Sequence, residues 1–573
     1  MQNSELDKEN RENKNSLIYS RAIALSLLLF LCSIQSVILL NFVIGSNLLK
    51  YSIPISLFLS ISFLYIIYKD RILPKYFWIK IVFLFLAVIL SSVFFAGQFY
   101  DMSWDGLWYH QTAVFQMANG WNPIYDPLHN FTPHLQDWVR HYAKGQWYIA
   151  LSFYEILGDI EYAKASTWIA LIASFFAVFA VTNQFGLSKT KSIFISIIIS
   201  LNPVVVFELA SYLVDGLMIS FLTIFTAALF SWFKEQNRLN IFLMILSAIL
   251  TVTTKQTGLV YLCFIIAGAG IYIIITRREL LKKYLYTQSI ALLLGIFIFG
   301  FNPYVTNTIT RGNPFYPMLG SDKYPSLAQQ GEDPIEKWET PHNMMGTNRF
   351  TRLAYAIFGR PGAQPYYPNT DASFMIPFNL GWDDFSIYYF HDVRISGFGP
   401  LFGVIFLLST ILLIYLFFKS KVSNLIITIF IVTLFSSLLI SEHTWWARYG
   451  PQLWWLPAFV LVLNFLQQET RLNKIANYLV AVLLIVNMVP IYFVHYVWEV
   501  EATNKTNEQI KELRQYKNIE VDFQYFAEPF GNRLKAGGVK FTPVQKFECD
   551  KPIELMSVSP GYPCAVRVCI KNN

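Results

Sequence analysis

The sequence predicts an all-α polytopic membrane protein that ends in a small α+β domain. Three observations predict it. The chain has 573 residues, of which 54% are hydrophobic and only 14% charged, where a soluble protein carries about a quarter charged residues. It holds 50 Phe, 33 Tyr and 15 Trp, and aromatic residues gather at membrane interfaces. Its apolar residues fall into about thirteen runs, each near the roughly 20 residues that a helix needs to cross hydrocarbon. The net charge of +7 does not argue for nucleic acid. The Lys and Arg residues lie in short clusters between apolar runs, the pattern that orients membrane segments.

Residues 1–21 read as a polar, disordered tail on the cytoplasmic side, with Lys8, Arg11, Lys14 and Arg21. No cleavage site closes the first run, Ala22–Ile44, so it is expected to stay as an anchor. The membrane domain then occupies 22–497. Its further runs are Tyr51–Tyr68, Phe77–Ala96, Tyr162–Val181, Ser192–Phe207, Leu213–Phe233, Asn240–Thr254, Gly258–Thr276, Tyr284–Phe301, Pro400–Phe418, Val422–Ile440, Pro451–Leu466 and Ile475–Val497. Gly145–Leu157 is too short to span and reads as a re-entrant or interfacial helix.

Orientation follows from the basic residues. With the N-terminus in the cytoplasm, alternate turns hold Lys69, Arg71, Lys75 and Lys80, then Lys189 and Lys191, Lys234 and Arg238, Arg277, Arg278, Lys282 and Lys283, Lys419 and Lys421, and Arg471 and Lys474. The opposite short turns hold only Lys50, Lys255 and Arg448. The asymmetry places three longer pieces outside the cytoplasmic (inner) membrane: loop 97–144, loop 302–399 and the tail 498–573. The tail reads as a helix over Asn504–Gln515 and short strands at Ile519–Phe526, Val539–Thr542, Ile553–Ser557 and Ala565–Ile570. Cys549, Cys564 and Cys569 share that tail, where a disulfide persists. Three cysteines give one bridge and one thiol, and spacing leaves the pairing open. Cys32 and Cys263 fall in spans.

The chemistry concentrates in Phe99–Gly120, FYDMSWDGLWYHQTAVFQMANG, where the third span emerges. Asp101 and Asp105 stand there among Trp104, Trp108, Tyr109 and His110. Carboxylates at the mouth of a span are costly unless they have a partner or a task. Ser103 or Asp105 as the N-cap of an interfacial helix explains one of them equally well. Leu107, Trp108, Val114, Phe115 and Ala118 share a face of that helix, and Asn119-Gly120 stops it. Lys255, in TTKQTGL, suits a lipid phosphate as a point charge, or snorkels. Arg448, in EHTWWARYGPQLWWLP, suits bidentate phosphate binding, and Arg394, in DVRISGFGP, invites the same reading. Glu208 and Asp215, in FELASYLVDG, are expected to pair with Lys255 or to help hold a cation or an acceptor. His110, His391 and His443 could ligate a divalent metal ion with these carboxylates, and the sequence does not decide whether one is used.

In these motifs the chain resembles the GT-C superfamily of polyprenyl-phosphate-sugar-dependent glycosyltransferases. Bacterial protein mannosyltransferases and aminoarabinose-transferase-like members are nearest in character. The matching pieces are WDGLWYH, TKQTGL, GNPFYP and ARYGP, in that order, over about Ala22–Val497. The resemblance implies a catalytic aspartate in the first outer loop, carried by Asp101 or Asp105. It implies Lys255 and Arg448 around the lipid phosphate; Arg394 is a further phosphate candidate from its own motif, and Trp104, Tyr109, His110, Glu208 and Asp215 are the candidates for contacting the substrates. The implied reaction is inverting transfer of a sugar from a polyprenyl-phosphate-linked donor to a lipid, glycan or protein acceptor. Asp101 and Asp105 are separated by three residues, unlike the adjacent or one-apart acidic pair common in the superfamily, which leaves the identity of the base open. Two other classes remain. One is a cell-surface glycan polymerase or ligase, given Arg349, Arg352 and Arg360 in the large loop. The other is a transporter or lipid flippase, which internal repeats and mid-membrane charges would mark.

Overall fold

The computed structural model describes residues 2–126, 133–330, 335–362, 371–375, 379–419, 421–467, 471–557 and 565–571. Each apolar run is helical, and the protein is a multi-pass membrane protein. Among the described residues, eight helices are long and apolar enough to cross a membrane, or up to nine if the pair Arg278–Phe299 and Phe301–Arg311, bent by 80°, counts as one span. This is fewer than the about thirteen runs suggest, because several runs are cut short. Arg238–Thr254 and Pro451–Leu466 are shorter apolar helices. The run Ser192–Phe207 is broken: Lys189–Ser200 ends, Asn202 turns out of the helix, and Pro203 starts a five-residue helix. A proline lacks the N–H of a continuing helix and pushes the residue before it toward extended backbone. Asn302 before Pro303 leaves the helical region likewise (φ −101°, ψ 116°) at the 80° bend.

The helices divide into a centre and a periphery. The best window of the first span and that of Asp215–Lys234 are each 83% buried inside the protein, against 28% for the spans ending at Tyr68 and Ala96. The peripheral pair presents Phe58, Phe83, Leu90 and Phe94 outward, as lipid-facing helices must. Gly145–Leu157, too short to span, is a helix packed inside the protein. Its residues from Gly145 to Phe153 are buried against the first span and against Gln111–Ala118.

Two boundaries differ from the sequence reading. The polar start is not an unstructured tail: the first helix runs Gln2–Ile44 without a break. The last span does not stop near Val497, since one helix, Arg471–Leu513, continues through it into the C-terminal domain. That domain is a four-stranded sheet of β1 (Ile519–Asp522), β2 (Thr542–Pro543), β3 (Ile553–Glu554) and β4 (Arg567–Ile570) in the order β2-β1-β4-β3. β1 pairs parallel with β2 and antiparallel with β4, and helix Ala527–Ala536 covers it. Cys549 and Cys569 form the disulfide, and Cys564 lies outside the described residues. The domain is not a separate appendage. Leu107, Trp104 and Trp108 of the first loop join one apolar cluster with Leu513, Val521, Phe526 and Phe530.

Candidate active site

The first loop folds tightly where the third helix ends. Asp101 is wholly buried. Its carboxylate accepts hydrogen bonds from Ser103 N (2.8 Å), Ser103 Oγ (2.7 Å), Gln111 Nε2 (3.1 Å) and Tyr212 N (3.3 Å). Glu161 accepts from its backbone N–H at 3.0 Å, and Arg533 donates to its carbonyl at 3.1 Å. Arg533 also pairs with Glu161, which pairs with Lys164. A Cβ on Gly106 would fall 1.9 Å from Asp101 Oδ2, so this packing needs a glycine. Burial pushes the Asp101 carboxyl up, against the pull of Lys164. Of the two catalytic candidates, Asp101 is therefore the one built into the loop, since its oxygens face donors of the fold rather than a substrate.

Asp105 differs. The helix cap is Ser103, whose Oγ accepts from Gly106 N at 3.2 Å, while Asp105 makes no cap bond. The helix that follows runs as a π-turn over Gly106–His110 and as α-helix over Gln111–Ala118, and it ends at Asn119 and Gly120 (φ +101°). The Asp105 side chain is 22% exposed and meets Arg448 Nη1 at 2.9 Å. Burial pushes its carboxyl up, but the charges of Arg448, His110 and Lys255 outweigh burial and hold it below the usual range. Asp105 is thus ionised at neutral pH. It lines a small cavity of about 40 Å³ with Trp104, His391, Asp392, Arg394 and Arg448. That volume suits a water molecule or two, not a sugar.

Arg448 and Lys255 come together around one ring. Arg448 lies 5.2 Å and Lys255 Nζ 4.8 Å from the Tyr449 ring centroid, and Arg448 also stacks at 4.2 Å on Trp446. Both cations already have carboxylate partners: Lys255 has Asp215 at 2.6 Å, and Arg448 has Asp105 and, at 3.4 Å, Asp392. Tyr261 Oη donates to the Tyr449 carbonyl at 2.6 Å. Below Tyr261 lies an apolar cavity of about 440 Å³, lined by Ile265, Ala269, Phe430, Leu434, Trp455 and Phe459 and reaching Lys234 and Arg277 at its far end.

The remaining candidates take other places. Arg394 is buried, pairs with Glu339 at 2.6 Å and stacks on Trp446 at 4.5 Å. Glu208 starts the Asp215–Lys234 helix by accepting from Gly216 N at 2.6 Å. Burial, reinforced by the neighbouring Asp215, pushes its carboxyl well up, so it holds a proton and does not compete for Lys255. Trp104 reaches the cavity but packs edge-on against Phe526 of the C-terminal domain at 5.1 Å. Tyr109 stacks on Trp138 at 5.6 Å, behind the loop. His110 Nδ1 accepts from Trp147 Nε1 at 2.7 Å; burial lowers its pKa to about 3, so it is neutral. The expected metal set is not assembled. His443 lies beside Tyr449, and among the described residues the donors that converge with His391 are His495 and Glu499, not Glu208 or Asp215. Sequence reasoning missed Asp392 and Tyr449, both within motifs it quoted. It also missed His495 and Glu499, whose i,i+4 spacing puts two ligand types on one helix face.

No family model and no curated protein matches the chain. Among solved structures, a similar one is the crystal structure of ArnT from Cupriavidus metallidurans bound to undecaprenyl phosphate. Its TM-score is 0.44 and its identity 12%, over 83% of this chain and 87% of that chain.

Proposed function

We propose that the protein is an inverting GT-C-type glycosyltransferase. It moves a sugar from a polyprenyl-phosphate donor to a lipid, glycan or protein acceptor at the external face of the cytoplasmic membrane. One observation carries this reading. Lys255 and Arg448 flank Tyr449 directly above an apolar cavity, and Arg448 is the partner of the ionised Asp105.

The parts act in sequence. The isoprenoid tail lies in the apolar cavity, where burial drives binding. The phosphate exchanges with Asp215 and Asp105 for the charges of Lys255 and Arg448, a trade of one anion for another in a desolvated place. Arg448 presents a fork suited to two phosphate oxygens, and Lys255 adds a point charge. Once released from Arg448, Asp105 takes the proton of the acceptor hydroxyl or amine as that atom attacks the anomeric carbon. The bond from that carbon to the phosphate oxygen breaks, the lipid phosphate leaves with its electron pair, and Lys255 and Arg448 stabilise the charge that develops on it. A single displacement inverts the anomeric centre. Because the cavity beside Asp105 holds only a water or two, the sugar enters as the Arg448–Asp105 pair opens. The polymerase reading draws less support, since Arg349, Arg352 and Arg360 pair with Glu442, Glu336 and Asp384.

The test is mass spectrometry of candidate acceptors after incubation of purified protein with a panel of polyprenyl-phosphate sugars. A glycosyl mass increment with one donor supports the reading. Binding of lipid phosphates without any increment across the panel rejects it.

A further inference from the structure

We propose that His391, His495 and Glu499 form a binding site for one divalent transition-metal ion of the zinc type. Glu499 and His495 lie on the last long helix, and His391 is brought to them by the turn before the span Phe402–Lys419. The three side chains are only 2–5% exposed. Their ligand atoms all lie within 4.8 Å of one another. Four-coordinate zinc with bonds of about 2.0–2.1 Å holds its donors roughly 3.3 Å apart, so the close His391–Glu499 pair would open slightly while the wider separations close.

Two features favour an ion over an ordinary ion pair. First, His391 Nε2 lies 2.7 Å and His495 Nε2 3.5 Å from Glu499 Oε1. The 2.7 Å contact is poorly aligned for a hydrogen bond and the 3.5 Å one is long, and among the described residues His391 Nδ1 and Glu499 Oε2 have no partner. Buried polar atoms are rarely left so, because each costs on the order of 1–3 kcal/mol. Buried ligand atoms gathered this closely, with acceptor capacity left over, are what a coordinated ion would engage. Second, the supporting contacts are those of a ligand. His495 Nδ1 meets the Tyr389 carbonyl at 3.2 Å. That contact puts the proton on Nδ1 and leaves the Nε2 lone pair toward Glu499, the way a metal-binding imidazole is usually oriented. Phe207 and Trp498 close the surroundings, 5.1 Å and 5.4 Å from the two rings.

Two imidazoles and one carboxylate suit zinc and neighbouring first-row ions, whereas magnesium and calcium prefer all-oxygen sets. His391 also lines the small cavity beside Asp105. An ion here would tie the His391–Asp392 turn to the last helix. It would thereby fix Asp392, which accepts from Trp446 Nε1 and pairs with Arg448. The site is positioning in character and independent of the sugar-transfer reading.

The experiment uses the full chain in detergent, stripped with chelator and titrated with zinc against a chromophoric competitor, with cobalt spectra as a second readout. The expected result is one equivalent of zinc per chain, a rise in thermal midpoint, and visible cobalt bands of a four-coordinate site. His495→Gln and Glu499→Gln keep size and polarity, and each should weaken zinc at least tenfold. A monodisperse gel-filtration peak checks that both fold. Substoichiometric zinc in the parent chain overturns the site, and so does unchanged affinity in both variants. Should both variants fail to fold, the cobalt spectrum of the parent decides alone: absence of the bands at saturating cobalt rejects the proposal.

Discussion

Asp101 and Asp105 are four positions apart on one loop, and their surroundings could hardly differ more. Asp101 is sealed, accepts four hydrogen bonds, and has its pKa pushed up by burial. Asp105 lies at a cavity edge, pairs with Arg448, and has its pKa held down by Arg448, His110 and Lys255 despite burial. A carboxylate with all its acceptor directions filled by the fold is a fastening. One whose partner could be exchanged for a phosphate would, on the proposed function, be free to act as a reagent. The difference lies in what each neighbour supplies, not in the residue type, and it generates the expectations that follow.

The largest expected effect is on Asp105. Ser103 caps the helix, so Asp105→Asn leaves the fold intact, and sugar transfer should fall about a hundredfold to ten-thousandfold, the typical yield of a general base. Measured turnover, with the thermal midpoint as control, checks this. Asp101→Asn should do the reverse: an amide facing Ser103 N, Tyr212 N and Gln111 loses an acceptor oxygen, and the midpoint falls while activity tracks the folded fraction. A stable but inactive Asp101→Asn, beside an active Asp105→Asn, would interchange the two roles.

Next comes the phosphate pair. Lys255→Ala and Arg448→Ala should each weaken lipid-phosphate binding by tenfold or more, as loss of a charged hydrogen bond worth about 1.5–3 kcal/mol predicts. Fluorescence or calorimetric titration with polyprenyl phosphate measures it. Arg448→Ala should also lower stability, because it strands Asp105 and Asp392; Lys255→Ala strands only Asp215.

Gly106→Ala sharpens the contrast from the backbone side. The added methyl collides with Asp101, so the loop must shift. A loss on the order of 1–3 kcal/mol is expected, the usual cost of overpacking, read from the thermal midpoint.

The smallest effect is a pH dependence at the edge of the C-terminal domain. Glu528, which accepts from Gln116 of the first-loop helix, has its pKa raised by burial to about 7. The folded state keeps a proton there that the unfolded chain releases above its ordinary value of 4.5. Its contribution is fully present below that value and is lost as pH rises through about 7. Domain docking followed by hydrogen exchange should weaken across this window, and Glu528→Gln should flatten the slope.

The membrane helices were legible because a run of apolar residues carries its own signal. Their lengths were not always so, because Asn202-Pro203 breaks a run that composition alone joins. Lys255, Arg448 and Asp105 stood out as charges at the ends of apolar runs, and the fold gathers them. The sequence could not show that Arg533, more than four hundred positions downstream, would reach Asp101. It also could not show that His391 would find Glu499 rather than Glu208. Those pairings arise from tertiary packing and leave no local pattern.

The unbroken helix Arg471–Leu513 acts as a gauge for the domain it carries. At about 1.5 Å per residue and 3.6 residues per turn, it fixes both the height of the sheet and the compass bearing from which Arg533 approaches the first loop. One residue inserted beyond Glu499 would swing that bearing by about 100°. Seven would return it to within about 20° while lifting the domain by roughly 10 Å. The loop and the sheet can therefore meet only when membrane thread and outer thread are cut to the same phase.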